Sequence, residues 1–323
     1  MAPPVTPKKV GDSVTNLVKR RRSEIFTLRR LKMDYPLYLL LIIPVTLVFI
    51  YSYIPMSGVL IAFQKYLPAK GFFGSKWVGL KNFQTLFTMP TFTQAISNTV
   101  VIAAWKIVLN ILVPVTFTLM LNELSGNRFK KLVQTVVYLP HFISWVMLAG
   151  IFMKLLAGNG IVNKALGIFG VQPIIFLGDN NWFQFTLIFT DVWKEFGYGT
   201  IVYLAAVAGV NPDLYEAAEV DGAGHWKKML HVTLPGIAPT IVMMMALSLG
   251  NVLNAGFDQV FNLYNEMVYE SGDIIDTLVY RMGFNNGNFG LSTAAGLFKS
   301  AISSVMVILS YWVAYITTGY RAF

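Results

Sequence analysis

Six long apolar runs constrain this chain more than any other feature. They lie near residues 36–58, 95–121, 132–156, 183–208, 235–256 and 297–318. Each approaches or exceeds the ~20 residues that an α-helix needs to cross the hydrocarbon core of a bilayer. Within lipid a spanning segment must satisfy its own backbone hydrogen bonds, so runs of this length predict helices. The expected fold class is therefore an all-α membrane protein with six transmembrane helices. Composition agrees: of 323 residues 55% are hydrophobic and only 13% charged, which excludes an ordinary soluble domain. With no cysteine present, disulfides, thiolate metal sites and cysteine nucleophiles are excluded. The histidines, His141, His225 and His231, lack metal-site spacing.

The net charge of +9 would suit nucleic acid if it were spread over a surface, but it is not. Residues 1–34 hold Lys8, Lys9, Lys19, Arg20, Arg21, Arg22, Arg29, Arg30 and Lys32. This stretch is too long and polar for a signal-peptide n-region, and the apolar run after it is too long for an h-region. It reads as a basic cytoplasmic tail, with residues 13–31 as a candidate interfacial amphipathic helix. Residues 35–323 form the transmembrane domain. Basic residues concentrate on the cytoplasmic side of a membrane. With the N-terminus inside, that side also takes Arg128, Lys130, Lys131, Lys227, Lys228 and Arg321. The opposite side takes Lys65, Lys70, Lys76, Lys81, Lys164 and Arg281, and four lysines fall within or beside the spans. The asymmetry predicts both termini inside and no nucleic-acid partner.

No phosphate-binding Gly-x-x-x-x-Gly-Lys-Ser/Thr loop, zinc-protease His-Glu-x-x-His or Gly-x-Ser-x-Gly elbow occurs. Ionisable groups at membrane depth are costly, and so draw attention. The fourth run contains Asp191, Trp193, Lys194 and Glu195. Asp191 can pair with Lys194, three residues on, and share a face with Glu195, four on. Two readings stand: a self-neutralising cluster at a helix interface, or the polar lining of a solute pathway. Asn251 and Asn254 in the fifth run are similar candidates, whereas Asn98 and Asn110 read as helix–helix glue. Lys106 and Lys299 are expected to snorkel or pair. Trp145, Trp193, Tyr198, Tyr203 and Phe257 offer ring faces on which a sugar can stack, although packing explains a membrane aromatic more often.

Residues 211–235 form a polar island between two apolar runs. Asn211 is a good helix N-cap, Pro212 suits the first helical position and Asp213 favours the helix dipole. Gly222 can adopt the left-handed conformation that ends a helix. The pattern Glu216-Ala217-Ala218, three residues, Gly222, nine residues, Val232-Thr233-Leu234-Pro235 resembles the EAA loop of binding-protein-dependent ABC importer permeases. Val232 departs from the usual isoleucine but is also β-branched. Trp77-Val78-Gly79-Leu80-Lys81-Asn82-Phe83, followed by Asn98-Thr99, looks like the corresponding stretch of sugar-type permeases.

The resemblance implies a type I ABC importer permease core in a bacterial plasma (inner) membrane. Residues 211–235 would be the cytoplasmic coupling helix. Glu216 would meet a basic residue of an ATPase, Ala217, Ala218 and Gly222 would allow close docking, and Leu234-Pro235 would lead into the next span. Implied partners are a second homologous permease, a cytoplasmic ATPase dimer that binds ATP and Mg²⁺, an extracytoplasmic solute-binding protein and an oligosaccharide. No cofactor is expected on this chain itself. The basic tail and long first outer loop resemble the branch that imports polysaccharide fragments such as alginate or pectin oligosaccharides. The alternatives are an ABC permease for a non-sugar solute, a stand-alone channel and a membrane enzyme.

Overall fold

The computed structural model describes residues 35–124 and 126–318. The basic tail, with its candidate amphipathic helix, and Arg321 lie outside the described residues. The chain divides into two units, residues 1–58 and 59–323. Helix α1 spans Tyr35–Phe63, most of it in the first unit, and contains Pro44, a proline of the kind membrane helices accommodate.

After α1 the second unit holds a two-stranded antiparallel pair, β1 (Gln64–Lys65) and β2 (Lys76–Trp77). Helices α2 (Lys81–Thr88) and α3 (Pro90–Glu123) follow. Pro90 opens α3 where its missing N–H costs nothing. Next come α4 (Asn127–Tyr138), α5 (Trp145–Leu155), α6 (Ile161–Ile168) and α7 (Asn180–Ala208). Then come α8 (Pro212–Val220), α9 (His225–Leu249), α10 (Phe257–Leu263), α11 (Ile275–Tyr280) and α12 (Phe289–Thr318).

The expected spans need three corrections. Four of the described helices, α1, α3, α9 and α12, are long and apolar enough to cross a membrane. Run 132–156 is not one straight span: the chain bends by 103° between residues 127–142 and 145–155. Pro140 removes a helical donor there, and Ser144 starts a new helix by accepting from Met147 N at 3.4 Å. Helix α7 has 29 residues and is ~44 Å long. Every 18-residue stretch of it includes Asp191, Lys194 and Glu195, so it is less apolar than the others. The fifth run is shifted: α9 begins ten residues earlier, at His225, and residues 250–256 leave the helix in turns closed by Asn251 N→Ser248 O (2.9 Å) and Asn254 N→Asn251 O (2.8 Å).

Three apolar clusters hold the second unit. One joins Ile102, Phe183, Leu187, Val260 and Ile274, drawn from α3, α7 and the 255–274 segment. A second joins Leu86, Phe92, Leu278 and Ala294. The third packs Ile111 and Leu119 of α3 against Tyr203, Val207, Met229 and Ile237. Contacts also sort the loops. His225 meets Glu123 at 2.8 Å, which puts the 122–131 and 211–235 loops together. Asn265 Nδ2 donates to Leu177 O (2.7 Å) and Asn82 Nδ2 to Gln64 O (3.0 Å), ties within the other set of loops.

Candidate functional site

Lys106 and Asn110 are four apart on α3 and so share a face. α7 brings Asp191 to them, and the end of α9 with the turn after it brings Ser248, Asn251 and Asn254. Together they line a cavity of about 270 Å³. Lys106 Nζ lies 3.0 Å from Asp191 Oδ1. It also donates to Ala255 O at 2.7 Å and to Gln259 Oε1. Asn110 Nδ2 donates to the other oxygen of Asp191 at 3.0 Å. Gln259 is held in turn, donating to Leu187 O (2.7 Å) and Thr190 Oγ1 (2.8 Å). The ammonium's three donors are thus all used, which offsets the several kcal/mol that desolvating a charge costs. Asn110 Oδ1 is buried without a partner among the described residues. The site is therefore neutral, rich in amides, and offers an acceptor suited to a hydroxyl donor. It is better fitted to a polyhydroxylated solute than to an ion.

The expected pairing of Asp191 with Lys194 does not occur. Asp191 turns to α3, where Lys106 and Asn110 wait. Lys194 Nζ donates to Glu195 Oε1 (2.7 Å) and His141 O (2.9 Å). Glu195 Oε2 meets His141 Nδ1 at 2.7 Å, so Glu195 does not join Asp191 in the cavity. The His141 ring stacks on Tyr198 at 3.9 Å, and Lys194 lies 5.6 Å over the ring of Trp145. Trp193 lines a separate apolar cavity of about 650 Å³ with Trp105, Phe185 and Phe189. Of the six pathway candidates, Asp191, Asn251 and Asn254 come together; Trp193, Lys194 and Glu195 do not join them. Sequence reasoning left Lys106 and Asn110 outside the site and missed Gln259. For Lys106 the signal was a lone lysine within an apolar run. For Gln259 there was none, because its partners are 69 to 153 residues away.

At the other site, Asn211 Oδ1 accepts from Asp213 N at 3.0 Å and starts α8. Gly222 ends the helix at φ +72°, a conformation that disfavours any side chain, and Ala223 N donates back to Ala218 O at 2.8 Å. Tyr215 OH and Thr233 Oγ1, 3.0 Å apart, brace α8 against α9. Lys228 Nζ reaches Glu219 at 3.1 Å. Glu216, Ala217, Gly222 and Pro235 are exposed, and Ala218 and Leu234 half-buried. Glu216 makes no hydrogen bond or ion pair among the described residues. In the same loop, Leu214, Val220 and Trp226 expose apolar surface, with Val220 89% exposed. These three were not singled out in the sequence, although apolar residues inside a polar island were the available signal.

At the end opposite this loop, Asn98 Nδ2 donates to Glu270 O (2.9 Å) and Asp273 O (3.0 Å), tying α3 to the 257–288 segment. Burial pushes the Asp273 carboxyl above its ordinary range, against the Thr277 hydroxyl and the Arg281 charge. Burial lowers Arg281, but its pairing with Asp273 outweighs that and raises it. Burial also pushes Tyr264 up to about 12. Lys299 meets both oxygens of Asp276 at 2.6 Å. Among the described residues no group of three or more His, Asp or Glu side chains is placed to hold a metal.

Residues 111–316 match the family described as "Binding-protein-dependent transport system inner membrane component". The polygalacturonan/rhamnogalacturonan transport system permease protein YteP of Bacillus subtilis is 40% identical over 295 residues, 91% of this chain and 92% of that one. Protein LplB of the same organism is 40% identical over 285 residues, 88% and 90% of the two chains. Among solved structures, a chain of a bacterial ABC transporter involved in import of the acidic polysaccharide alginate superposes with TM-score 0.83 at 36% identity. The match covers 90% of this chain and 98% of that one. A crystal structure of a bacterial alginate ABC transporter in complex with its alginate pentasaccharide-bound periplasmic protein matches with TM-score 0.82, also at 36% identity, over 90% and 97% of the two chains.

Proposed function

The chain belongs to the family of binding-protein-dependent transport system inner membrane components, and from that membership we propose that it forms one half of the membrane pathway for an acidic oligosaccharide. It is a multi-pass subunit of a carbohydrate ABC importer and not an enzyme. In this reading a second homologous permease forms the other half of the pathway. An extracytoplasmic binding protein delivers the sugar, and a cytoplasmic ATPase dimer holds ATP and Mg²⁺. Both termini and the 211–235 loop face the cytoplasm. Glu216 meets a basic residue of the ATPase, while Ala217, Ala218 and Gly222 let the surfaces approach. Closure of the ATPase dimer moves α8 and switches the helices from inward-facing to outward-facing.

The single observation that carries the sugar reading is the buried, unpartnered Asn110 Oδ1 in a cavity whose charges already cancel. Such a group favours a hydroxyl donor, and Asn251 and Asn254 add amides beside it. The substrates named for the relatives, polygalacturonan/rhamnogalacturonan and alginate, support an acidic chain. The test is reconstitution with the second permease, the ATPase and the binding protein in proteoliposomes. Binding protein loaded with galacturonate or alginate oligosaccharides is expected to stimulate ATP hydrolysis, and Asn110→Leu to raise the KM for uptake. Stimulation by an amino acid or phosphate instead, or solute flux without any ATPase, overturns the reading.

A further inference from the structure

A second polar cavity, of about 360 Å³, lies at the end opposite the 211–235 loop. It sits between β1 and the turn after it, the start of α2, and the first residues of α12. Lys65 and Lys81 line it, both exposed. Neither has an ion pair among the described residues. The start of α2, with Lys81 and Asn82, forms part of the wall, and Leu80 gives that helix no side-chain cap. Gln64, 7% exposed, donates its Nε2 to Phe72 O at 3.0 Å, but its buried Oε1 has no partner among the described residues. Tyr66 and Phe289 meet edge to face at 6.0 Å in the wall. The cavity is held by close approach. Asn82 Nδ2 bridges Ala62 O (2.8 Å) and Gln64 O (3.0 Å), and a Cβ on Gly290 would fall 2.7 Å from Gln64 O.

We propose that this cavity binds one uronate unit of the transported oligosaccharide at the outer mouth. Lys65, Lys81 and the α2 N-terminus take the carboxylate. A ring hydroxyl donates to Gln64 Oε1, and the C–H face of the ring packs on Tyr66 and Phe289. Each feature needs its own part of that ligand. A neutral sugar leaves the two ammonium groups unmatched, and an acidic protein side chain or a phosphodiester headgroup brings a charge but no sugar ring to pack on Tyr66 and Phe289. The membrane cavity cannot supply this discrimination from its own lysine, because Lys106 is neutralised by Asp191; Lys194, outside that cavity, is neutralised by Glu195. This assignment rests on the oligosaccharide reading above and adds a place where the acid group is read.

The assembled importer, without binding protein, is titrated by calorimetry with trigalacturonate and with the same trisaccharide after reduction of its carboxyl groups. Trigalacturonate is expected to bind and the reduced sugar to bind at least tenfold more weakly. Lys65→Met with Lys81→Met should remove that tenfold preference. Gln64→Met should weaken both sugars while keeping the preference. Equal binding of the two sugars, equal binding by wild type and the double-lysine variant, or competition by phosphatidylglycerol vesicles in place of the sugar overturns the assignment. If loaded binding protein still stimulates ATP hydrolysis, the oligosaccharide function survives that failure. If no oligosaccharide stimulates it, the function itself has failed.

Discussion

In the cavity between α3 and α7, Lys106 finds an acceptor for each of its three protons. In the 211–235 loop Glu216 finds no partner among the described residues, and Leu214, Val220 and Trp226 of the same loop stand exposed. The difference follows from the solvent around each. A charge removed from water must be paired within the folded chain or it destabilises the fold by several kcal/mol. A charge left in water can await a partner at little cost, and the exposed apolar groups of the same loop leave further surface that a partner could cover. The cavity is a finished structure with one acceptor to spare; the loop, in the function proposed above, is half of an interface.

The comparison breaks first at Lys106. Lys106→Met leaves the largely buried Asp191, 15% exposed, with only the Asn110 amide for a partner, and the expected loss of stability is about 3 kcal/mol. Thermal unfolding of the detergent-solubilised complex reads it, together with the yield of assembled importer. Combining Lys106→Met with Asp191→Leu removes both charges and should recover most of the loss, since a buried ion pair contributes little over apolar replacements. A single variant that unfolds like the wild type means that Asp191 is already solvated, and the cavity is then no more finished than the loop.

The next largest effect is expected at Glu216, and it falls on function alone. Glu216→Lys sits at an exposed position without partners among the described residues, so stability should change by no more than ~0.5 kcal/mol. ATP-driven uptake should fall at least tenfold, equivalent to about 1.4 kcal/mol of lost docking or coupling. Uptake into proteoliposomes and co-purification with the ATPase measure both parts. Unchanged uptake removes the loop from the coupling path; lowered stability means that Glu216 is engaged inside the chain.

The same contrast explains what was legible in the sequence. Helix α8 was readable because its determinants are local: Asn211 caps a donor two residues on, and Gly222 turns the chain just past the helix. Tyr215 and Thr233, which brace it, are 18 residues apart. The cavity was only partly readable. Asp191, Asn251 and Asn254 stood out as polar groups in apolar runs, but Asp191's amide partner on α3 is 81 residues away. A local rule therefore favoured the wrong partner, Lys194. The bend near Pro140 and the exit from α9 at residues 250–256 share one cause. Hydropathy sets the length of an apolar run but does not register where a missing donor or a turn ends a helix.

The smallest effect is expected within the loop itself, at Lys228 and Glu219, 3.1 Å apart with Glu219 74% exposed. Such a pair gains little Coulomb energy in water, loses side-chain freedom on forming and is screened by salt. Lys228→Ala should therefore cost about 0.2–1 kcal/mol, falling further between low and physiological ionic strength. Unfolding measured at two salt concentrations reads this. A cost above that range, or one indifferent to salt, would mean that α8 is fixed by its own chain's charges. A small, salt-sensitive cost leaves the helix positioned by Tyr215, Thr233 and its caps, with its charged face free for the ATPase.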